Sequence, residues 1–591
     1  MRKAILLLMV CLCSLGAMAG TEAYPAPLTK LSDEFMRSFF DFQPSAATRA
    51  GLHEYDARLE SFTPERVARQ KAVYGDYLRR LRQLDVKGWS RWALDDREML
   101  IAFIESRILE LEMHPQWREN PDYYTSVMSD STFLLMGRSF APPEERLRSL
   151  VARERQMPRL LGEARKNLHN PPRVFTEIAL EQLPGIEDFY AKDVPSAFTG
   201  VKDEKLLHEF AQSNAAVVAS LKQYETWMKR DLLPRSHGDF RLGAENFRHK
   251  LALEEMVDIP LDRLRAVGEE NLRRNQREFQ RVAKLLDASK TPTELLAEIE
   301  KEHPAGDQLL AAFRGTLEKI RDFADTNQII TTPSRNLPVL EETPPYMRAT
   351  TSASMDAPGP FETRATEAYF NVTLPEKGWS AAQVEEHMAE FNWGVVTSTA
   401  IHEVIPGHYE QYLWNAQVPS RIRQFLSLDL SNVGSLWGST NVEGWAHYTE
   451  QMMIDEGYGR TPGVTEDKDT AFLKLRLGQL QDALLRNARY MVAIDMHTGQ
   501  MTQEQAVEFF VREGYQTRSN AVREVKRGTG NPTYLFYTLG KLQIIQLRKD
   551  WEARQRHPVA PKEFHDLFMQ QGVAPVKIIR RALLGDESPT L

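Results

Sequence analysis

Two histidines and a glutamate form the pattern in this chain that is most indicative of chemistry. His402, Glu403 and His408 lie in the segment HEVIPGH. In the standard H-E-x-x-H pattern, two histidines four residues apart on one helix bind a metal and the glutamate activates its water. Here the histidines are six residues apart, and on a regular helix they would lie ~120° apart around the axis. A regular helix would therefore keep them from sharing one ion.

The residues between the histidines argue against a regular helix. Pro406 lacks an N–H group and its ring clashes with the carbonyl of His402, and Gly407 tolerates unusual backbone angles. We expect a turn that loops out two residues and brings His408 to the place of the second ligand. A pattern of this kind also arises by chance, so it is weak evidence by itself.

A second patch, TNVEGWAHYTE, follows later in the chain and has helical character. Glu443, His447 and Glu450 share one helix face because they are spaced i, i+4 and i+7. An exposed charged stripe would look similar. However, Trp445 and Tyr448 alternate with the charged residues, and buried acids are rare unless they are paired or bound to metal.

These motifs carry a family resemblance. HEVIPGH at 402–408 and EGWAHYTE at 443–450 resemble motifs of the domain of unknown function 885 family, bacterial proteins regarded as zinc-dependent peptidases. PSAATRAGLHEYD at 44–56 is similar to the opening signature of the family, and REVKR at 523–527 with residues 534–541 is similar to its closing signature. The resemblance covers nearly all of the mature chain.

A shorter and less specific resemblance concerns the C-terminal part. NPTYLFYTLG at 531–540 is similar to a segment of the carboxypeptidase Taq family, whose mostly helical fold carries a regular H-E-x-x-H motif.

The first resemblance implies a metal site. It implies one zinc ion per chain held by His402, His408 and Glu443, with Glu403 as the general base. Three protein ligands leave a fourth position for water, whose pKa zinc lowers toward ~7. A set of two histidines and one glutamate is also compatible with manganese or cobalt.

Four more residues are candidates for the site. In related helical metallopeptidases a tyrosine hydroxyl near the C-terminus stabilises the oxyanion; Tyr537 is our first candidate and Tyr534 our second, although both also suit core packing. His497 and Arg489 lie in a stretch that the family shares. His497 is a candidate donor to the substrate, although a lone histidine is more often structural. Arg489 is a candidate clamp for a C-terminal carboxylate of the substrate.

The elements that must position these residues are mainly helices. Thr63, Thr291, Ser380 and Thr502 each precede an apolar-periodic run as a predicted helix N-cap. Three segments show apolar residues spaced three and four apart, which is typical of half-buried helices: residues 67–84, 261–286 and 505–511.

A proline-rich segment interrupts the helical pattern. Prolines forbid a long helix between residues 332 and 379, and AYFNVT at 368–373 has the composition of a strand. We therefore expect a small β element near 366–374, whose edge is a candidate binding place for an extended peptide. The segment predicts a join between an N-terminal helical lobe at 20–331 and a C-terminal catalytic lobe at 332–591, with 20–591 forming one structural module.

Composition and charge describe a globular protein. Of 591 residues, 26% are charged and 42% hydrophobic, which is close to the average of folded proteins. The chain has 74 Lys and Arg against 82 Asp and Glu. Because no basic excess is present to neutralise phosphates, a nucleic acid partner is not expected.

The N-terminus predicts export. Residues 1–19 have a cationic start, an apolar run and small residues before Gly20, as a signal peptide does. Cleavage near Ala19 would place the protein in the periplasm or outside the cell and would remove both cysteines, Cys11 and Cys13. A lipoprotein start would require a small residue directly before a cysteine, which the sequence lacks. No later apolar run is long enough to predict a transmembrane segment.

The combined prediction is a mostly α, large two-lobed helical metallopeptidase-like fold with a deep cleft. Its predicted function is that of an exported zinc-dependent metallopeptidase that hydrolyses oligopeptides. Two alternatives remain open: a non-catalytic helical periplasmic binding or scaffold protein, and a zinc hydrolase of another amide or ester. Serine chemistry is disfavoured because the chain has no G-x-S-x-G motif. The sequence does not predict an oligomeric state.

Overall fold

The computed structural model describes residues 24–344, 348, 351–428 and 437–591. The predicted signal peptide at 1–19 therefore lies outside the described residues. Helices form most of the described chain. None of the described helices combines the length and the apolar composition that a membrane crossing requires.

The helices of the described chain fall before and after a small sheet. Those before the sheet are α1 (Ala26–Phe42), α2 (Pro44–Ala50), α3 (Pro64–Arg82), α4 (Arg91–Met113), α5 (Gln116–Glu119), α6 (Pro121–Gly137), α7 (Pro143–Glu154), α8 (Met157–Asn167), α9 (Arg173–Asp188), α10 (Val194–Ala197), α11 (Glu204–Trp227), α12 (Gly243–Glu254), α13 (Leu261–Leu286), α14 (Pro292–Ile299) and α15 (Leu309–Thr326). Those after it are α16 (Ala381–Ala389), α17 (Trp393–Glu403), α18 (His408–Asn415), α19 (Arg421–Leu426), α20 (Ser439–Asp455), α21 (Thr470–His497), α22 (Gln503–Arg512), α23 (Arg518–Gly530), α24 (Phe536–Glu552), α25 (Pro561–Met569) and α26 (Val576–Leu584). Short 3₁₀ or π segments cover His53–Tyr55, Phe189–Asp193, Met228–Leu232, Leu233–Arg235, Gly306–Gln308 and Glu466–Lys468.

The predicted helix starts are confirmed. The side chain of Thr63 accepts a hydrogen bond from the backbone N–H of Arg66 at the start of α3. Thr291, Ser380 and Thr502 each form a complete capping box at the starts of α14, α16 and α22. Helix α13 spans the predicted segment 261–286. The mostly α fold is therefore confirmed.

The sheet consists of β1 (Val339–Glu342), β2 (Ala353–Asp356) and β3 (Tyr369–Val372). Strand β3 lies in the centre, parallel to β1 and antiparallel to β2. The predicted β element near 366–374 is confirmed as β3. The expectation that this strand offers its edge to a peptide is wrong, because β1 and β2 pair with both of its edges; β2 instead lies at the edge of the sheet.

The hydrophobic core extends across the predicted join at residue 331. One cluster of buried side chains combines α1 and α4 with α17, α20 and α26, from Leu28 to Leu584. A second lies among the N-terminal helices and includes Ala365 from beyond the join, and a third joins α13 to α21 and α24. Packing therefore connects both sides of the join.

Helix α20 lies at the centre of the elements that carry the predicted site residues. It contacts α17, α18, α21 and α24. Its crossing with α24 is close because both helices have a glycine at the contact: a Cβ on residue 540 would lie 1.8 Å from the carbonyl oxygen of Thr440, and one on residue 444 would lie 2.5 Å from the Cα of Gly540. Glycine is thus required at this crossing.

Candidate metal centre

The segment HEVIPGH forms a turn between two helices. Helix α17 ends at Glu403 and α18 begins at His408. Gly407 passes so close to the end of α17 that a Cβ there would lie 1.8 Å from the carbonyl oxygen of His402. The indole Nε1 of Trp445 donates a hydrogen bond of 2.7 Å to the carbonyl oxygen of Pro406 and so attaches the turn to α20. The irregular turn predicted at Pro406 and Gly407 is present.

The turn brings His402 and His408 together with Glu443 of α20. One ligand atom of each of these residues lies within 4.8 Å of the other two. Glu443 Oε2 is 3.4 Å from His402 Nε2 and 3.6 Å from His408 Nε2. The two imidazole rings are nearly perpendicular, at 89°. All three predicted ligands therefore surround one point.

The donor set fits a metal ion. Glu443 Oε2 is buried and makes no hydrogen bond with the described residues, although buried polar atoms normally have a partner. In a tetrahedral zinc site with bonds of about 2.0 to 2.1 Å, ligand atoms lie roughly 3.3 Å apart. The separations of 3.4 and 3.6 Å are close to this value. Imidazole nitrogens and a carboxylate oxygen are also the donors that zinc prefers.

The electrostatics of the cluster favour a cation. Burial by itself raises the pKa of Glu443, but His402 and His408 outweigh burial and hold this pKa well below its usual range. Burial by itself lowers the pKa of His402, but Glu443 and Glu450 raise it to about 10. The carboxylates of Glu443 and Glu450 therefore stabilise positive charge at His402.

Glu450 orients His402 from behind. This fully buried carboxylate lies 2.6 Å from His402 Nδ1. It also contacts His447 Nδ1 at 3.0 Å and Arg486 at 3.1 Å. When Nδ1–H of His402 donates to Glu450, Nε2 is the nitrogen left to bind a metal. The sequence placed Glu450 on the correct helix face but did not assign this role.

Glu403 lies beside the three ligands and next to the sheet. Its Oε2 accepts a hydrogen bond of 3.1 Å from the backbone N–H of Met355 in β2. Ser352 O accepts a hydrogen bond from Thr373 N, so the backbone groups of Ala353 and Met355 point away from β3. The edge of β2 therefore runs along the position of Glu403.

A cavity of about 610 Å³ opens onto these groups. Its volume lies in the usual range of small-molecule sites. His402, Glu403, His408, Glu443 and Tyr537 line it, and β2 contributes Met355. Further charged groups of its wall are Asp482, Arg486, Arg489 and Arg527. The sequence did not single out Asp482, Arg486 or Arg527, although Asp482 and Arg486 share the helix face of Arg489 at i, i+4 and i+7.

The two candidate tyrosines occupy different environments. Tyr537 lines the cavity, and the α20–α24 crossing places it near Glu443; burial and the charge of Glu443 raise its pKa. Tyr534 is fully buried and does not line the cavity. Its hydroxyl lies beside Gly528, where a Cβ would be only 2.4 Å away. The structure thus brings Tyr537, and not Tyr534, to the metal cluster.

His497 lies away from the cavity. It is fully buried, contacts the rings of Phe240 and Phe247, and places Nε2 2.8 Å from the carbonyl oxygen of Gly528. Burial lowers its pKa to about 4. These contacts are those of a neutral core histidine, and they leave it outside the candidate site.

Arg489 lines the cavity, but its guanidinium is already paired. Its Nε and one terminal nitrogen donate to the two carboxylate oxygens of Glu524, at 2.6 and 2.8 Å. Both partners are nearly inaccessible to solvent. Arg489 was predicted to bind the C-terminal carboxylate of a substrate, but its guanidinium already binds the carboxylate of Glu524.

The fold and the site define a mostly helical protein with a buried cluster of two histidines and a glutamate in a central cavity. The chain belongs to the family of bacterial proteins of unknown function called DUF885, whose sequence profile matches residues 44–583. The predicted membership is confirmed; the similarity to the carboxypeptidase Taq family stays a prediction. No curated protein matches the chain.

Two solved structures share the fold. One is a candidate lipoprotein of unknown function from Shewanella oneidensis, with 24% identity, a TM-score of 0.77, and coverage of 95% of this chain and 100% of that one. The other is a candidate lipoprotein from Colwellia psychrerythraea, with 16% identity, a TM-score of 0.77, and coverage of 95% and 99%. At these identities the likeness concerns the fold alone.

Proposed function

We propose that this protein is an exported zinc-dependent metallopeptidase that hydrolyses oligopeptides. The observation that supports this most is the convergence of His402, His408 and Glu443 within 4.8 Å, with the carboxylate of Glu403 beside them in one cavity. A binding or scaffold protein would have no need of Glu403 next to the ligand set. Export agrees with the two structural relatives, which are described as candidate lipoproteins.

The residues of the chain have distinct roles in the proposed reaction. Zinc held by His402, His408 and Glu443 would supply Lewis acidity and lower the pKa of a water molecule. Glu403 takes a proton from the attacking water and later gives it to the leaving amine. The hydrogen bond from Met355 N–H keeps the carboxylate of Glu403 in place.

Tyr537 and β2 position the peptide. On the outward edge of β2, the N–H of Met355 is used by Glu403 and the carbonyl of Ala353 by Thr351. The N–H of Ala353 and the carbonyl of Met355 are left to pair with an extended peptide, which would lay it along Glu403. The hydroxyl of Tyr537 donates a hydrogen bond to the oxygen of the scissile carbonyl as negative charge develops there. A cavity of about 610 Å³ suits short peptides better than folded proteins.

The first test is metal content. Purified mature protein, incubated with zinc and dialysed, is analysed by plasma mass spectrometry together with His402→Ala, His408→Ala and Glu443→Ala. We expect about one zinc per chain in the wild type and a loss of zinc in all three variants. Equal zinc in the four proteins, or none in the wild type, would contradict the proposal.

The second test is hydrolysis of a randomised peptide pool. We expect Glu403→Gln to retain zinc and to lose at least roughly 100-fold in rate, because it removes the general base. Glu376→Gln, an exposed residue, is the matched control and should hydrolyse the pool at the wild-type rate. A zinc-loaded wild type that leaves every peptide intact would favour the binding-protein alternative or hydrolysis of another amide or ester.

A further inference from the structure

Three arginines line the cavity, and two of them have carboxylate partners. Arg489 is bound by Glu524 through two hydrogen bonds. Arg486 lies 3.1 Å from Glu450 and 4.0 Å from Asp482. The charges of these two arginines are therefore largely compensated within the protein.

Arg527 differs from the other two. It is exposed, lies in α23 and contributes to the cavity wall. Among the residues that the structure describes, its guanidinium has no carboxylate oxygen within 4.0 Å; its side chain donates only a hydrogen bond of 3.3 Å to the hydroxyl of Tyr537. A free guanidinium inside a concave site is suited to a planar anion, because its parallel N–H groups match a carboxylate.

Arg527 lies directly beside Tyr537, on the side of the cavity wall away from the metal cluster. Arg527 donates to the Tyr537 oxygen, so the hydroxyl hydrogen of Tyr537 stays available for the substrate. Tyr537 in turn lies near Glu443. From the metal cluster outward, the order is therefore Glu443, Tyr537 and Arg527. A peptide whose carbonyl oxygen meets Tyr537 would have one end near Arg527, and the charge of the guanidinium matches the end that carries a free carboxylate.

We propose that Arg527 is the docking point for the free C-terminal carboxylate of the peptide, and that the protein is a carboxypeptidase that releases one or two C-terminal residues. This inference rests on the proposed peptidase function. In the reaction, water adds across a peptide bond near the C-terminus. The C–N bond breaks, the new carboxyl group takes the water oxygen, and the amine of the released fragment takes the proton that Glu403 carries.

Binding without turnover tests the docking point separately from hydrolysis. Zinc-loaded Glu403→Gln protein is incubated with a pool of N-acetylated random pentapeptides, half as free acids and half as C-terminal amides, and the retained peptides are identified by mass spectrometry after ultrafiltration. We expect the free acids to be retained roughly 10- to 100-fold better, as a charge-assisted contact predicts. Arg527→Gln in the same protein should remove this preference.

Arg523→Gln provides a matched control. Arg523 lies one turn earlier on α23, is exposed, and donates to Asn520 rather than to the cavity. It should keep the full preference for free acids. Equal retention of acids and amides by the protein with Arg527 intact, or an unchanged preference in Arg527→Gln, would overturn the inference.

Hydrolysis by the wild type separates this inference from the proposed function. We expect cleavage of the free acids near their C-termini, with much slower cleavage of the amides. Equal cleavage of acids and amides would uphold the peptidase and overturn the docking point. Selective binding of acids with no cleavage would uphold the docking point and overturn the peptidase.

Discussion

Glu450 acts on the proposed metal centre through His402. Its carboxylate lies 2.6 Å from His402 Nδ1 and fixes which nitrogen of the ring faces Glu443. Partners of this kind typically change metal affinity 10- to 100-fold when they are mutated. We expect Glu450→Gln to weaken zinc binding by roughly this factor in a competition titration with a chelator.

A control on the same helix separates this effect from general destabilisation. Asp455→Asn alters a half-exposed carboxylate at the end of α20, which pairs with Arg476. Its zinc affinity should match that of the wild type. A change of less than about threefold in Glu450→Gln would contradict the orienting role, because it lies well below the factor expected for such a partner.

Tyr537 and Tyr534 allow a paired test of the oxyanion donor. Tyr537→Phe removes a hydroxyl from the cavity wall, and removal of one such donor typically costs roughly 100- to 1,000-fold in kcat. Tyr534→Phe removes a hydroxyl that makes no hydrogen bond with the described residues, so kcat should stay unchanged. Steady-state kinetics on one peptide measures both variants; similar kcat values for the two would exclude Tyr537 as the donor.

At the scale of elements, the turn between α17 and α18 depends on Gly407. A methyl group at this position would lie 1.8 Å from the carbonyl oxygen of His402 and 2.4 Å from that of Ile401. The two helices would have to separate, and His408 would move away from His402. We expect Gly407→Ala to lose most of the bound zinc, measured by plasma mass spectrometry on the dialysed protein.

Gly315→Ala is the corresponding control. Gly315 lies inside α15, and a Cβ there meets no atom within 4 Å. Alanine is favoured over glycine in a helix by about 0.5 to 1 kcal/mol, so this variant should keep its zinc and unfold at slightly higher urea concentration. Full zinc binding by Gly407→Ala would show that the turn can adjust and that the glycine is not required.

Several element boundaries follow from local sequence, and others do not. Thr291, Ser380 and Thr502 start helices with their own side chains, so the capping pattern is visible in the sequence. Helix α20 has no such cap of its own. Glu255 instead accepts hydrogen bonds from the backbone N–H groups of Ser439 and Thr440. A cap supplied from a distant segment has no local signature.

At the scale of the whole molecule, two buried histidines predict acid sensitivity. Burial lowers the pKa of His497 to about 4 and that of His565 to about 3. In the unfolded chain both would titrate near 6.5, so the unfolded state binds more protons as the pH falls below this value. The contribution of these two histidines to the free energy of unfolding is therefore largest above about pH 6.5 and decreases toward pH 4, by about 2 kcal/mol per histidine at pH 5.

His565 allows this effect to be measured for one group. Its Nδ1 lies 2.7 Å from the carbonyl oxygen of Ile329 and its Nε2 lies 2.8 Å from the hydroxyl of Tyr448. Urea unfolding of the wild type and of His565→Gln is compared near pH 7 and pH 5. Between pH 7 and pH 5, the free energy of unfolding should decrease by about 2 kcal/mol more in the wild type than in the variant. An equal decrease in the two proteins would show that His565 is not held in its neutral form in the folded state.

From the residues alone, the sequence predicted the irregular turn that brings His402 and His408 together as candidate ligands. His402, His408 and Pro406-Gly407 lie close together in the chain, so residue types and helix geometry are enough to predict how they fold. Glu443 and the assignment of Glu403 came from the family resemblance, and the structure brings all four residues to one cavity. The helix caps and the β element were predictable for the same reason, since their signals are local.

The tertiary structure decided which charged groups are free to act. Arg489 and Arg527 look equally available in the sequence, but Glu524 binds the guanidinium of the first through two hydrogen bonds, whereas no described carboxylate oxygen lies within 4.0 Å of the guanidinium of the second. His497 lies on the same helix as Arg489 but faces the core. Burial and charge pairing depend on partners brought together by packing from different helices, so the periodicity of a single helix does not contain this information.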